Sequence, residues 1–121
     1  MPARSAYRGE IIASRPLSEI KAGLFRALAH PGRIRILEVL RDGPRTVGEL
    51  IPVVGLEPSH LSQQLAVLRR ANIVTASRTG SVVTYEISDA HIVELLAVAR
   101  QFLIGTLTAS QELLAGLKSG A

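Results

Sequence analysis

The hydrophobic pattern changes period partway along this chain, and that change constrains its fold more than any other feature. As far as residue 71 the apolar side chains recur at helix spacing, from Ile73 to Ile87 they give way to β-branched runs, and after Asp89 the helical spacing returns. Four helical segments precede the switch. In the first, Leu17, Ile20, Leu24, Phe25 and Leu28 share one side, and Pro16 stands just before it. Pro31-Gly32 breaks this helix, and proline suits the first turn of the next. That second helix carries Ile34, Ile36, Leu37, Val39 and Leu40 on nearly every side, which predicts a central, buried position. Asp42-Gly43-Pro44 ends it. Thr46 and Glu49 have capping-box spacing and open a short third helix with Val47, Leu50, Ile51 and Val54 on its apolar side. Gly55 closes that helix, and a fourth runs from Pro58 to about Ala71.

The β-branched stretch reads as a hairpin: strands Ile73–Thr79 and Ser81–Ile87, turning at Thr79-Gly80. Asp89 then caps a last helix whose apolar face is Ile92, Leu95, Leu96, Ala99, Phe102 and Leu103, extended by Leu113, Leu114 and Leu117. Gly105 is a point where this helix would kink or end. The order is therefore α-α-α-α-β-β-α. Two short helices joined by a glycine turn and followed by a hairpin make a winged helix-turn-helix, a mainly α class with a β-hairpin (α+β). The reading places one domain over 17–118, with dimerisation helices at both ends, behind a flexible arm at 1–16 that carries Arg4, Arg8 and Arg15.

Composition narrows the chemistry. A chain of 121 residues has room for one core. With no cysteine, disulfides, thiolate metal sites and thiol catalysis are excluded. No apolar run approaches the roughly 20 residues of a bilayer span, and the N-terminus lacks a signal-peptide core, so a cytoplasmic protein without membrane partners is expected. Charge is uneven: residues 1–80 hold 12 Lys/Arg against 6 Asp/Glu, and residues 81–121 hold 2 against 4. Twelve of the 14 cations are arginine, whose planar fork suits phosphates and guanine edges.

The fourth helix can be read residue by residue. At about 100° per residue, Leu61, Leu65 and Leu68 share one stripe, and Ser59, Gln63, Ala66 and Arg70 fall opposite with Ser62 beside them. Short polar side chains on the outward face let a helix approach the DNA major groove, and a glutamine there can bond an adenine edge bidentately. Ser59, Ser62 and Gln63 are the expected base-facing residues, with His60, Arg69 and Arg70 around them. His60 and Gln64 fall on the flank nearer the protein, and Gln64 reads as an interhelix hydrogen-bonding residue. Arg78 at the hairpin tip, with Ser81, would contact phosphate or the minor groove. Thr46 and Val47, at a helix N-terminus, would favour a phosphate.

These motifs carry a resemblance. The stretch SHLSQQLAVLRRA from Ser59 to Ala71, followed by Asn72-Ile73-Val74, resembles the recognition helix of the ArsR-type (arsenic-repressor-like) winged-helix regulators. LFRALAHPGRIRILEVL from Leu24 to Leu40 and the wing Thr79-Gly80-Ser81 with Val82-Val83-Thr84-Tyr85 are similar to that family too, so the match spans about residues 17–103. Gln64 stands where histidine is frequent and Asn72 where glycine is frequent. The resemblance implies a DNA-binding regulator, most simply a repressor, that pairs through its first and last helices and reads a pseudo-palindromic operator in double-stranded DNA. The dimer interface would then take Leu17, Ile20, Leu24, Ile92, Leu95, Leu96, Ala99, Phe102 and Leu103. One family metal site begins with an Asp-x-His pair, matched by Asp89 and His91. Its second pair falls on Phe102 and Gly105, which cannot coordinate, so no metal or other cofactor is expected. His30, before Pro31, is expected to bond a backbone group at the helix junction.

An enzyme is the first rival. His60 and Ser62 point apart on one helix, no carboxylate orients the histidine, and no phosphate-cradling glycine loop is present, so no catalytic residue is assigned. The alternative binding class is a winged-helix module for protein partners, against which the polar and arginine residues of the fourth helix and hairpin speak. The sequence names neither an effector nor an operator.

Overall fold

The computed structural model describes residues 16–119. They form helix α1 (16–28), α2 (Pro31–Leu40), strand β1 (Arg45–Thr46), α3 (Val47–Val54), α4 (Pro58–Arg70), β2 (Val74–Thr79), β3 (Val82–Ile87) and α5 (Ala90–Lys118). The arm expected at 1–16 lies outside the described residues except for Pro16, which is helical. The chain divides into two compact units between Ser88 and Asp89.

In the first unit, α2 packs against α3, α4 and β3, and α4 packs against β2. Leu28, Ile36, Leu37, Leu40, Leu50, Val54, Leu61, Leu65, Leu68, Ile73 and Val74 form the core. Helix α2 is central as expected, but not buried on every side: Arg35 and Glu38 are exposed and Ile34 and Val39 half-buried. Its start is fixed by the His30 ring, whose Nδ1 accepts from the Gly32 N–H at 2.9 Å. A Cβ on Gly32 would come within 2.9 Å of Leu56 Cδ1 and 3.1 Å of the His30 ring, so a larger residue there requires the Leu56 side chain to shift.

The capping box on α3 forms as the spacing predicts. The Glu49 N–H donates to Thr46 Oγ1 at 3.2 Å, and the Thr46 N–H donates to Glu49 Oε1 at 3.1 Å. The Thr46 backbone N–H, and after it the Thr46 side chain, favour the ionised form and hold the Glu49 carboxyl below its ordinary pKa. Removing the cap by Thr46→Ala is expected to lower the free energy of unfolding by about 1 kcal/mol. Urea titration measures this, and a loss of only a few tenths would mean that water replaces the cap at little cost.

The structure adds an element to the expected order. Arg45 and Thr46 pair with Tyr85 and Thr84, so the hairpin becomes a three-stranded antiparallel sheet, β1-β3-β2. The hairpin also turns one residue later than expected. Thr79 pairs with Val82, leaving Gly80-Ser81 as the turn, because Gly80 supplies its positive φ of 64°.

Helix α4 ends in a Schellman motif. The Ile73 N–H donates to Leu68 O at 2.9 Å and the Asn72 N–H to Arg69 O at 3.0 Å. Asn72 sits at φ 60°. This is the left-handed region that glycine favours and asparagine tolerates, so asparagine can serve at the position where the family resemblance leads one to expect glycine.

The second unit is α5. Asp89 caps it, Oδ1 accepting from the His91 N–H at 2.8 Å. Two expectations are corrected here. Gly105 does not end the helix, which runs on to Lys118; one internal glycine costs only about 1 kcal/mol relative to alanine. An apolar stretch of bilayer length also exists: α5 is long and apolar enough to cross a membrane by length and composition, with an 18-residue window of mean hydropathy 1.5. Scattered glutamine, threonine and serine hide it from a search for unbroken apolar runs.

Candidate nucleic-acid interface

The inner stripe of α4 is sealed, with Leu61 and Leu68 at 0 % and Leu65 at 1 % exposure. That burial fixes which side of the helix faces out. Ser59, His60, Ser62, Gln63, Arg69 and Arg70 are exposed, and Ala66 is half-buried. Pro58 starts the helix, where its missing N–H leaves nothing unsatisfied. The outward surface of the first two turns therefore consists of small hydroxyls, one imidazole and one carboxamide. His60, expected nearer the protein, is exposed, whereas Gln64 turns inward as expected.

Gln64 is held from an unexpected direction. Arg33 Nη1 donates to Gln64 Oε1 at 2.7 Å, while Arg33 Nε donates to Ala27 O at 2.6 Å and Nη2 to Arg26 O at 3.1 Å. Helix periodicity marks the acceptor, Gln64, whereas nothing local pairs Arg33 with it as the donor. The available signal was a cation next to the Pro-Gly junction, in the first turn of a largely apolar helix.

On the hairpin, Arg78 faces Val83 one rung from the turn, and both Arg78 and Ser81 are exposed. Among the described residues no ion pair engages Arg69, Arg70 or Arg78. Their charges are free to meet an external anion. At the α3 N-terminus, Thr46 and Val47 are half-buried. The capping box uses the N–H groups of Thr46 and Glu49 and places a carboxylate there, so only Val47 and Gly48 keep donors without a partner in the helix. Arg45 beside Thr46 was not singled out from the sequence. It borders an open hollow with Arg35, Arg41, Glu38 and Asp42, whose mixed signs do not single out an anion.

Asp89 and His91 bond each other, with His91 Nδ1 2.6 Å from Asp89 Oδ1. The carboxyl is held below its ordinary pKa first by the His91 backbone N–H and then by the ring, and the carboxylate pushes the imidazole up. Among the described residues there is no group of three or more His, Cys, Asp or Glu that could hold a metal ion.

A recognition helix with a short polar outer face, a preceding helix joined by a glycine turn and an arginine-bearing hairpin define a winged helix-turn-helix DNA-binding protein. Comparison with known proteins agrees. Residues 30–76 match the family described as bacterial regulatory protein, arsR family. An uncharacterized HTH-type transcriptional regulator of Mycobacterium tuberculosis, Rv0081, is 52% identical over 108 residues, covering 88% of this chain and 95% of the relative. The Rv0081 crystal structure superposes with a TM-score of 0.73 at 54% identity, covering 78% of this chain and 96% of that one. The HTH-type transcriptional repressor SmtB of the same organism is 35% identical over 82 residues, 68% of this chain and 61% of the relative. A solution structure from Mycobacterium bovis, the homodimeric winged helix-turn-helix DNA-binding domain of Mb0332, a possible ArsR-family regulator, gives a TM-score of 0.71 at 26% identity over 78% of this chain and 87% of that one. The chain belongs to the arsR family of bacterial regulatory proteins and is a DNA-binding transcriptional regulator.

Proposed function

We propose that this regulator is a cytoplasmic homodimeric repressor, without catalytic activity, that reads a pseudo-palindromic operator. In this reading α4 enters the major groove. The observation that carries it is the outward placement of Ser59, Ser62 and Gln63 over a sealed leucine stripe. Gln63 reads a base edge, Ser59, His60 and Ser62 bond bases or phosphates, and Arg69, Arg70, Arg78 and Ser81 meet the backbone or minor groove. Val47 contributes a backbone N–H to a phosphate beside Thr46.

The dimer rests on a second set of exposed side chains. Leu17 is 55% exposed, Ile20 68%, Phe102 72% and Leu103 56%. A second copy covering these, together with Leu24, Ile92, Leu95, Leu96 and Ala99, removes the apolar surface from water. The homodimeric state of Mb0332 supports that occupant over a lipid bilayer. A two-fold dimer presents two recognition helices to half-sites about one DNA turn or more apart.

Selection of bound duplexes from a random pool, with and without chelator, identifies the operator and its symmetry. On that operator, Gln63→Ala is expected to cost roughly 1–3 kcal/mol and to relax preference at one base position. Arg78→Ala weakens cognate and scrambled duplexes alike and reduces the salt slope by about 1. Titrations on both duplexes at several salt concentrations separate the two effects. An unchanged cognate-to-scrambled ratio for Gln63→Ala would remove it from the base-reading set.

A further inference from the structure

We infer that Arg33 is a positioning residue for sequence recognition, fixing the roll of α4 about its own axis by tying Gln64 to the carbonyl end of α1. The inference rests on the proposed reading of α4 as the groove-facing helix. The guanidinium is planar and its N–H directions are rigid. Two of its bonds, to Ala27 O and Arg26 O, seat it against the last turn of α1, where the Arg26 carbonyl also accepts from the Ala29 N–H at 3.2 Å and a cation is favoured. With its plane set, the N–H directions of Nη1 are fixed, and Nη1 donates to Gln64 Oε1 at 2.7 Å.

The leucine stripe sets which side of α4 faces inward, and the fine roll gains a further, directional restraint. Leu61, Leu65 and Leu68 lie along one line of the helix, and apolar packing is non-directional. A hydrogen bond on the flank of that line is directional and resists rotation. The lever is large: a roll of about 20° moves a side-chain tip 5–6 Å from the axis by roughly 2 Å. A bidentate contact to a base edge tolerates only about 0.5 Å in donor–acceptor distance. Gln63 is the neighbour of the tied residue, so rotation at Gln64 is rotation at the reader. Gln64 and Arg33 are both half-buried, and each of the three Arg33 nitrogens donates to a protein acceptor, so in this proposal the tie acts on DNA through α4.

The experiment uses the full chain with the selected operator and its scrambled version. Gln64→Ala is expected to lower the cognate-to-scrambled affinity ratio about tenfold, with scrambled-duplex affinity within about twofold of wild type and an unchanged thermal midpoint. Gln64→Glu keeps an acceptor for Arg33. Its added charge weakens binding to both duplexes, while the ratio returns to the wild-type value. Arg33→Ala also frees the α1 carbonyls and can compromise folding, so the Gln64 variants carry the test. Where Arg33→Ala folds, it lowers the ratio as Gln64→Ala does, and the double variant is no worse than either single one. An unchanged ratio for Gln64→Ala, or failure of Gln64→Glu to restore it, overturns the inference. Gln63→Ala, measured in parallel, separates the two readings. A fall for Gln63→Ala without one for Gln64→Ala overturns the tie alone. A fall for Gln64→Ala alone keeps the tie and moves base reading to another residue on α4.

Discussion

Leu103→Glu is expected to leave a folded monomer that has lost operator binding by roughly 10²–10⁴-fold. The magnitude follows from linkage. When one half of a dimer is seated, the other binds its half-site at an effective concentration near millimolar, and separating the halves discards that advantage. Leu103 suits the experiment because it is 56% exposed and lies on a helix without a buried residue. A carboxylate there meets water in the single copy, so folding is spared. In the dimer the same carboxylate would be buried against apolar side chains without a partner, which costs several kcal/mol. Solution mass by light scattering, with operator titration on the same sample, measures both consequences. A variant that remains dimeric at full affinity would show that another surface joins the copies.

The second large effect is on stability. Leu65→Ala removes a side chain that is 1 % exposed between α4 and the rest of the first unit, and is expected to cost about 2–5 kcal/mol. A typical domain has only about 5–15 kcal/mol in total, so the thermal midpoint should fall by roughly 10 °C or more at fixed protein concentration. Ser62→Ala, on the exposed side of the same helix, should stay within about 0.5 kcal/mol. Thermal and urea unfolding of the two variants side by side test which face of α4 is inward. Similar losses for both would contradict the orientation on which the groove-facing assignment depends.

Much of this was legible in the sequence because helical periodicity is local. Leu61, Leu65 and Leu68 mark the inner face of α4 by spacing alone, and with it the outward position of Ser59 and Gln63. The caps at Thr46 and Asp89 were legible because each involves groups within three residues of one another. Strand β1 was not, since two residues show no period and their partners Tyr85 and Thr84 lie far along the chain. The turn was misplaced by one residue because threonine, glycine and serine all favour turns, and backbone φ at Gly80 makes the choice. Arg33 and Gln64 are 31 positions apart, and no local pattern announces such a pair. In α5, interspersed polar residues obscured the total apolar content, which becomes plain once the helix is continuous.

The junction at Ala71–Ile73 has a mechanical consequence. Asn72 in its left-handed conformation and the two Schellman bonds join the end of α4 directly to the start of β2, leaving no slack between the reading head and the wing. In the proposed DNA-binding reading, this short junction would carry α4 and the hairpin against the double helix as one piece.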